Sequence, residues 1–233
     1  MDGRAWQLEL ALDGELRRRL DVQARSSGYL AGELHGWLQP LAAGLPLQLT
    51  LRATEFRPWT ALPAGLSFPH IELQASGALL GASTVQGSAT LAGRDRPVAV
   101  ALRGRVGLQG AEVEQLRLQD AAGAPLQAAG TLDWRNGFAA DLRLDGGALD
   151  WQQLWPLPAL AAELRQVRGS WRYAAGAYQG DVDLQLRGPA GELQLRTPLH
   201  GEGARLALPG LQLLAGKGHA GGDLQLGFAA GVA

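Results

Sequence analysis

Aliphatic residues occupy every second position through most of the chain. Trp6, Leu8, Leu10 and Leu12 alternate with Gln7, Glu9 and Ala11. Leu16, Leu20, Val22 and Ala24 are interleaved with Arg17, Arg19, Asp21, Gln23 and Arg25, and Leu47, Leu49, Leu51 and Ala53 with Gln48, Thr50 and Arg52. Leu142 and Leu144 stand between Asp141, Arg143 and Asp145, and Val182, Leu184 and Leu186 between Asp181, Asp183, Gln185 and Arg187. In a β-strand this puts the leucines on one face and the charges on the other. Such segments recur about every 12–16 residues between Gly, Pro or Asp turns, which predicts roughly fifteen strands. A polar face that stays wet points to an antiparallel sheet with one dry side.

Helical periodicity is nearly absent. Asp150 is placed to cap one turn running to Trp155, which Pro156 and Pro158 would stop, with Ala159–Gln166 as a possible extension. Arg57–Leu62 sits in a similar context. Short helical turns are therefore expected near Arg57–Leu62 and Asp150–Leu164, with strand resuming over Val167–Tyr173.

That likeness extends into a repeat. Phe56 aligns with Leu149, Pro63 with Pro158, Gly77 with Gly169, Gly87 with Gly180, Leu116 with Leu211, Gly36 with Gly130, and Gly130 with Gly222, at offsets of 92–95 residues. A near-constant offset predicts an array with a unit of about 93 residues, or about six strands per copy. No linker divides the chain, so it reads as one elongated β-groove segment over residues 1–233, and as a piece of a longer protein.

Composition narrows the chemistry. Of 233 residues, 33 are Gly and only 18% are charged, with a net charge of −1. That balance lacks the basic field nucleic-acid binding requires. The absence of Cys excludes disulfides, zinc–thiolate sites and thiol nucleophiles. His35, His70, His200 and His219 are too scattered for a metal motif. Gly210 and Gly216-Lys217-Gly218 fail the phosphate-loop pattern in spacing and in the residue after Lys, and read as a Gly-rich hairpin. Gly87-Ser88 and Gly169-Ser170 fall inside strands, not on a nucleophile elbow. Asp181 and Asp183 share a solvated face and do not pair across a cleft. No catalytic residue, metal or cofactor is expected, and the chain reads as a non-enzyme. The seven tryptophans, Trp59 and Trp155 at repeat turns among them, are expected to pack as core or end-caps. No apolar run reaches the ~18 residues of a membrane-spanning helix, and no secretory signal opens the chain.

A one-sided sheet of about fifteen strands would be ~70 Å long, and its dry face is too large to leave in water. It must close as a barrel, fold face to face as a sandwich, or curl into a trough filled by an apolar ligand. A repeat favours the trough or a solenoid over a closed barrel. The alternation places Leu10, Leu49, Leu51, Leu73, Val100, Leu142, Leu144, Leu184, Leu186 and Leu226 on one continuous apolar surface.

The strand pattern of Leu30-Ala31-Gly32-Glu33-Leu34-His35-Gly36, followed by Leu45-Pro46-Leu47-Gln48-Leu49-Thr50-Leu51, resembles the TamB branch of the AsmA-like proteins of Gram-negative bacteria. So does the segment Leu149-Asp150-Trp151-Gln152-Gln153-Leu154-Trp155-Pro156-Leu157-Pro158 between two strand sets. The resemblance spans the chain and rests on patterning, without a catalytic box. It implies a long sheet folded into an open, taco-like groove in the periplasm, in a protein anchored to the inner membrane by parts absent from this chain. It implies that the ten residues above line a route for phospholipid acyl chains between the inner and outer membranes. It also implies a link to outer-membrane protein assembly through a TamA-like β-barrel partner, engaged in the family by the C-terminal region. Two other readings stay open: a scaffold or chaperone segment offering strand edges by β-augmentation, and a β-sandwich binding module whose dry face is only its core.

Overall fold

The computed structural model describes residues 7–28, 31–54, 56, 67–93, 95–120, 123–147, 163–189, 191–203 and 205–227. Fifteen strands run in chain order: β1 (Gln7–Glu15), β2 (Arg19–Ser27), β3 (Ala31–Leu38), β4 (Pro46–Thr54), β5 (His70–Ala78), β6 (Ala82–Leu91), β7 (Val98–Gly107), β8 (Gly110–Gln119), β9 (Leu126–Asp133), β10 (Ala139–Gly147), β11 (Glu163–Ala174), β12 (Ala177–Gly188), β13 (Gly191–Glu202), β14 (Arg205–Ala215) and β15 (Gly218–Gly227). Each pairs antiparallel with the next, so the sheet order is the chain order. The result is one curled, unclosed sheet, with no helix among the described residues. β1 and β15 are its free edges. Strands make their substantial contacts with chain neighbours only, so neither a barrel closure nor a facing second sheet is present among the described residues. The sandwich expectation is corrected accordingly.

Three local expectations change. Leu16 lies in the turn after β1, not in the strand that holds Leu20 and Val22. Glu163–Gln166 belongs to β11, so the expected helical extension does not cover these residues; there the alternation of Leu164 with Glu163 and Arg165 lets the segment pair with β12. Gly210 lies within β14, and the tight turn is at Gly216–Lys217. The expected helical turn at Arg57–Leu62, the Asp150–Trp155 turn, and the motif at 149–158 with Trp59, Trp151 and Trp155 lie outside the described residues.

The aligned glycines fall six strands apart: Gly36, Gly130 and Gly222 are in β3, β9 and β15, and Gly87 and Gly180 in β6 and β12. A regular meander with about fifteen residues per strand would produce nearly this spacing from any offset of that length, so the placement does not by itself establish copies.

The meander gives the sheet two unlike long rims. The turns leaving β1, β3, β5, β7, β9, β11 and β13 all fall on one rim and are short, and the connections leaving the even strands fall on the other, where the longest segments lie. The small core gathers beside the second rim. Leu91, Val98, Leu126 and Val167 are buried there, with Phe68, Val100, Leu118, Leu164 and Leu184 packed against them.

Candidate functional site: the apolar face of the curled sheet

Directly paired residues in an antiparallel ladder point to the same side, so the registers trace the apolar face strand by strand. One rung runs unbroken from edge to edge: Leu8, Ser26, Gly32, Ala53, Ile71, Ala89, Val100, Leu118, Leu126, Gly146, Val167, Leu184, Leu195, Leu213 and Ala220. Only Ser26 is polar. The neighbouring rung carries Leu10, Leu34, Leu51, Leu73, Leu102, Leu116 and Leu144. A third holds Leu49 and Leu142, Leu186 lies towards the long-connection rim, and Leu226 towards the short-turn rim. The structure therefore brings all ten sequence-selected residues to one face. One-residue bulges in β8 and β14 and near Arg165 shift the local register, yet Leu116, Leu211 and Leu164 still face the same way as their neighbours.

Among the described residues every buried one is on this side, and most of the face is only half-buried. The near-buried side chains include Val22, Leu47, Ala53, Leu126, Ala128, Ala140 and Val167, and Val98 alone has no exposed area. Leu49, Leu51, Leu73, Val100, Leu142, Leu144, Leu184 and Leu186 are intermediate, and Leu10 and Leu226 on the edge strands are exposed. The polar exceptions are satisfied. Thr197 Oγ1 donates to the Pro198 carbonyl at 2.7 Å, and Ser83 Oγ to the Ala78 carbonyl at 3.3 Å. The groove thus presents aliphatic surface without free hydrogen-bonding side chains at these buried positions.

Small and large residues alternate across the groove. Gly36 stands between Val22 and Leu49, Gly104 between Val85 and Val113, Gly130 between Val113 and Leu142, and Gly180 between Trp171 and Leu199. At each of these four a Cβ would collide with the backbone carbonyl of an adjoining strand. A side chain at these positions would push the adjoining strands apart, so glycine permits the close backbone approach there. Sequence reading singled out most of these glycines as repeat markers but not as points of close strand approach.

The outer face is its electrostatic opposite. Arg52 pairs with Glu72 at 3.1 Å, Arg172 with Asp141 at 2.8 Å, Arg196 with Asp183 at 2.9 Å and Arg105 with Glu114 at 2.9 Å. The hydrogen bond that Arg105 donates to the Glu114 carboxylate, with the charge of Glu112, holds the Arg105 guanidinium above its ordinary pKa. These are solvated cross-strand pairs, each contributing at most about 1 kcal/mol. His35, His70, His200 and His219 stand on β3, β5, β13 and β15, on the polar side by register. No cluster of three or more metal-ligating side chains occurs among the described residues. A hollow of about 860 Å³ lies mainly on the outer side, where Arg172, Gln179, His200 and Gln225 surround small residues such as Ala177 and Ala207. The tryptophans depart from the expected packing role in part. Trp171 lies on the apolar face, stacked on Tyr173 with centroids 6.0 Å apart. Trp37 is on the polar face under Arg19, and Trp134 caps a turn.

No curated protein and no solved structure matches the chain. The family model described as TamB, N-terminal domain, does match, over residues 3–221. Covering nearly the whole length, and agreeing with a single curled antiparallel sheet, that match shows that the chain belongs to the TamB family of cell-envelope proteins.

Proposed function

We propose that the chain is a periplasmic conduit segment whose concave face carries phospholipid acyl chains between the inner and outer membranes. The observation that carries this reading is the continuous aliphatic face, left half-exposed with no second layer over it among the described residues. Such a surface calls for an apolar occupant. Each CH₂ removed from water contributes about 0.8 kcal/mol, so a ~16-carbon chain gains on the order of 10 kcal/mol, which offsets much of its loss on leaving a bilayer. Rungs of similar aliphatic composition give neighbouring positions similar energies, which suits sliding. Headgroups stay at the rims, in water. The role is binding and passage, with no bond made or broken, so no catalytic residue is proposed.

The test is a charge placed in the groove. Leu144 lies between Ala128 and Gly169 on its rung, so an Arg there has room to extend towards water. Leu144→Arg is expected to abolish co-purified phospholipid, measured by native mass spectrometry, while the melting temperature stays near that of the wild type. Leu184 packs on the core cluster, so Leu184→Asp would bury a charge and confuse folding with transport. Unchanged lipid in a folded Leu144→Arg protein would remove the groove as the route.

A second reading rests on the edges. All nine residues of β1 and all ten of β15 are exposed, and each strand has one side unpaired among the described residues. These are the templates that β-augmentation uses, and a segment supporting outer-membrane barrel assembly, with a TamA-like partner, would work through them. Crosslinking from Ala11 or Gln225 to an added barrel-strand peptide, with the groove variant unaffected, would favour it.

A further inference from the structure

Most of the described Trp and Tyr side chains use their polar hydrogen inside the protein. Trp37 Nε1 donates to Gln48 Oε1 at 3.2 Å, Trp134 Nε1 to the Leu108 carbonyl at 2.8 Å, and the Tyr178 hydroxyl to the Arg205 carbonyl. The exceptions are Trp171 and Tyr173. Neither the Trp171 indole N–H nor the Tyr173 hydroxyl has an acceptor among the described residues. Buried indole and phenol groups ordinarily find one. These two are half-buried, and both stand on the groove side of the sheet.

They belong to one strand and to one gradient. Trp171 and Tyr173 are two residues apart on β11, with Phe138 5.8 Å from Tyr173 between centroids at the short-turn rim. From that rim inwards the groove side of β11 reads Tyr173, Trp171, Gly169, Val167 and Leu164. Val167 is buried, and Leu164 and Leu184 pack on it in the core beside the long-connection rim. Polarity thus falls across the width of the groove, at right angles to the route along it. At ~3.3 Å per residue, Trp171 stands ~13 Å from Val167 and ~23 Å from Leu164. Those spans bracket the hydrocarbon depth of one leaflet, ~15 Å or half of a bilayer core.

The neighbours leave these donors open. Across from Trp171 on β12 stands Gly180, which has no side chain to cover the indole. Tyr178, across from Tyr173, is laid the other way: a Cβ at Gly201 would fall among its ring atoms, and its hydroxyl is tied to β14. The adjacent Arg172 is on the outer face, paired with Asp141 at 2.8 Å. Two neutral donors suit neutral carbonyl oxygens, whereas phosphate recognition draws on guanidinium or ammonium groups. Trp and Tyr take the corresponding level at a bilayer surface, between chains and water.

We infer that Trp171 and Tyr173 form a lipid-holding station in the groove, donating to the two ester carbonyls of a diacyl phospholipid. Its chains lie towards the buried aliphatic cluster, and its headgroup stands in water at the short-turn rim. Resting on the conduit reading, this site adds a fixed pause and an orientation to an otherwise aliphatic lining. It also selects ester-linked lipids over lipids that lack the carbonyls.

The experiment is native mass spectrometry of the chain with an equimolar mixture of a diester phosphatidylethanolamine and its diether analogue of equal chain length. The analogue keeps headgroup and chains and lacks only the two carbonyls. Wild-type protein holds the diester in about tenfold preference, the discrimination that two neutral hydrogen bonds supply. The double variant Trp171→Phe, Tyr173→Phe, which keeps both aromatic rings, retains its circular dichroism and holds the two lipids equally. Tyr173→Phe alone deletes one oxygen and lowers the preference to about threefold. Tyr178→Phe, whose hydroxyl is spent on the Arg205 carbonyl, keeps the wild-type preference. Wild-type protein that holds both lipids equally overturns the station and leaves the conduit standing. A folded double or single variant at Trp171 and Tyr173 that keeps the full preference overturns it as well. A chain that holds neither lipid overturns the conduit reading itself, and the station with it.

Discussion

At the scale of single residues, the groove depends on positions that have no side chain as much as on those with large ones. Gly130 combines a φ of +155° with a site where a Cβ would run into the Asp141 carbonyl. Gly222, its counterpart in the 92–95-residue alignment, has open space around its Cβ direction. Gly130→Val is expected to force β9 and β10 apart and to cost about 2 kcal/mol or more, while Gly222→Val changes stability little. Melting temperatures of the two variants check this, and equal losses would mean that the close strand approach does not depend on glycine. The pattern of alternating leucines announces which residues are apolar. It does not announce that the glycines among them permit close strand approach, because a glycine within a strand and a glycine at a turn look alike without the neighbouring backbone.

At the scale of elements, stability is unevenly distributed. β1 and β15 are exposed along their whole lengths, while β6, β7, β9 and β11 supply the buried cluster of Leu91, Val98, Leu126 and Val167. Hydrogen exchange should therefore be fastest in β1 and β15 and slowest around Val98 and Leu126. Uniform protection across the fifteen strands would contradict the open-edged arrangement. The cross-strand ion pairs are not what sets this gradient, since pairs such as Arg172–Asp141 sit in water on the outer face.

For the whole molecule, the decisive quantity is area. The chain exposes 15365 Å², against about 10,000 Å² for a compact monomer of its 24.5 kDa. The excess is what one curled layer without a covering layer requires. Small-angle scattering should give a radius of gyration well above the ~17 Å of a compact 233-residue domain. A value near that figure would mean the sheet has collapsed onto itself in solution, and the open groove would be lost with it.

Strand identity and the sidedness of the sheet were legible in the sequence, because a two-residue period has only one physical meaning in an extended chain. The ten residues chosen from that pattern reach a common face for the same reason: antiparallel pairing preserves side from strand to strand. The family was legible too: the resemblance read from this patterning agrees with the family model that matches residues 3–221. Tertiary structure alone decided among barrel, sandwich and trough, which share one alternating pattern and differ only in whether the edges meet or a second layer covers the face. It alone decided that alternate turns gather on a single rim. Leu41, Leu80, Leu108 and Trp134 lie far apart along the chain, and only the fifteen-strand meander, reversing direction at every turn, sets them side by side.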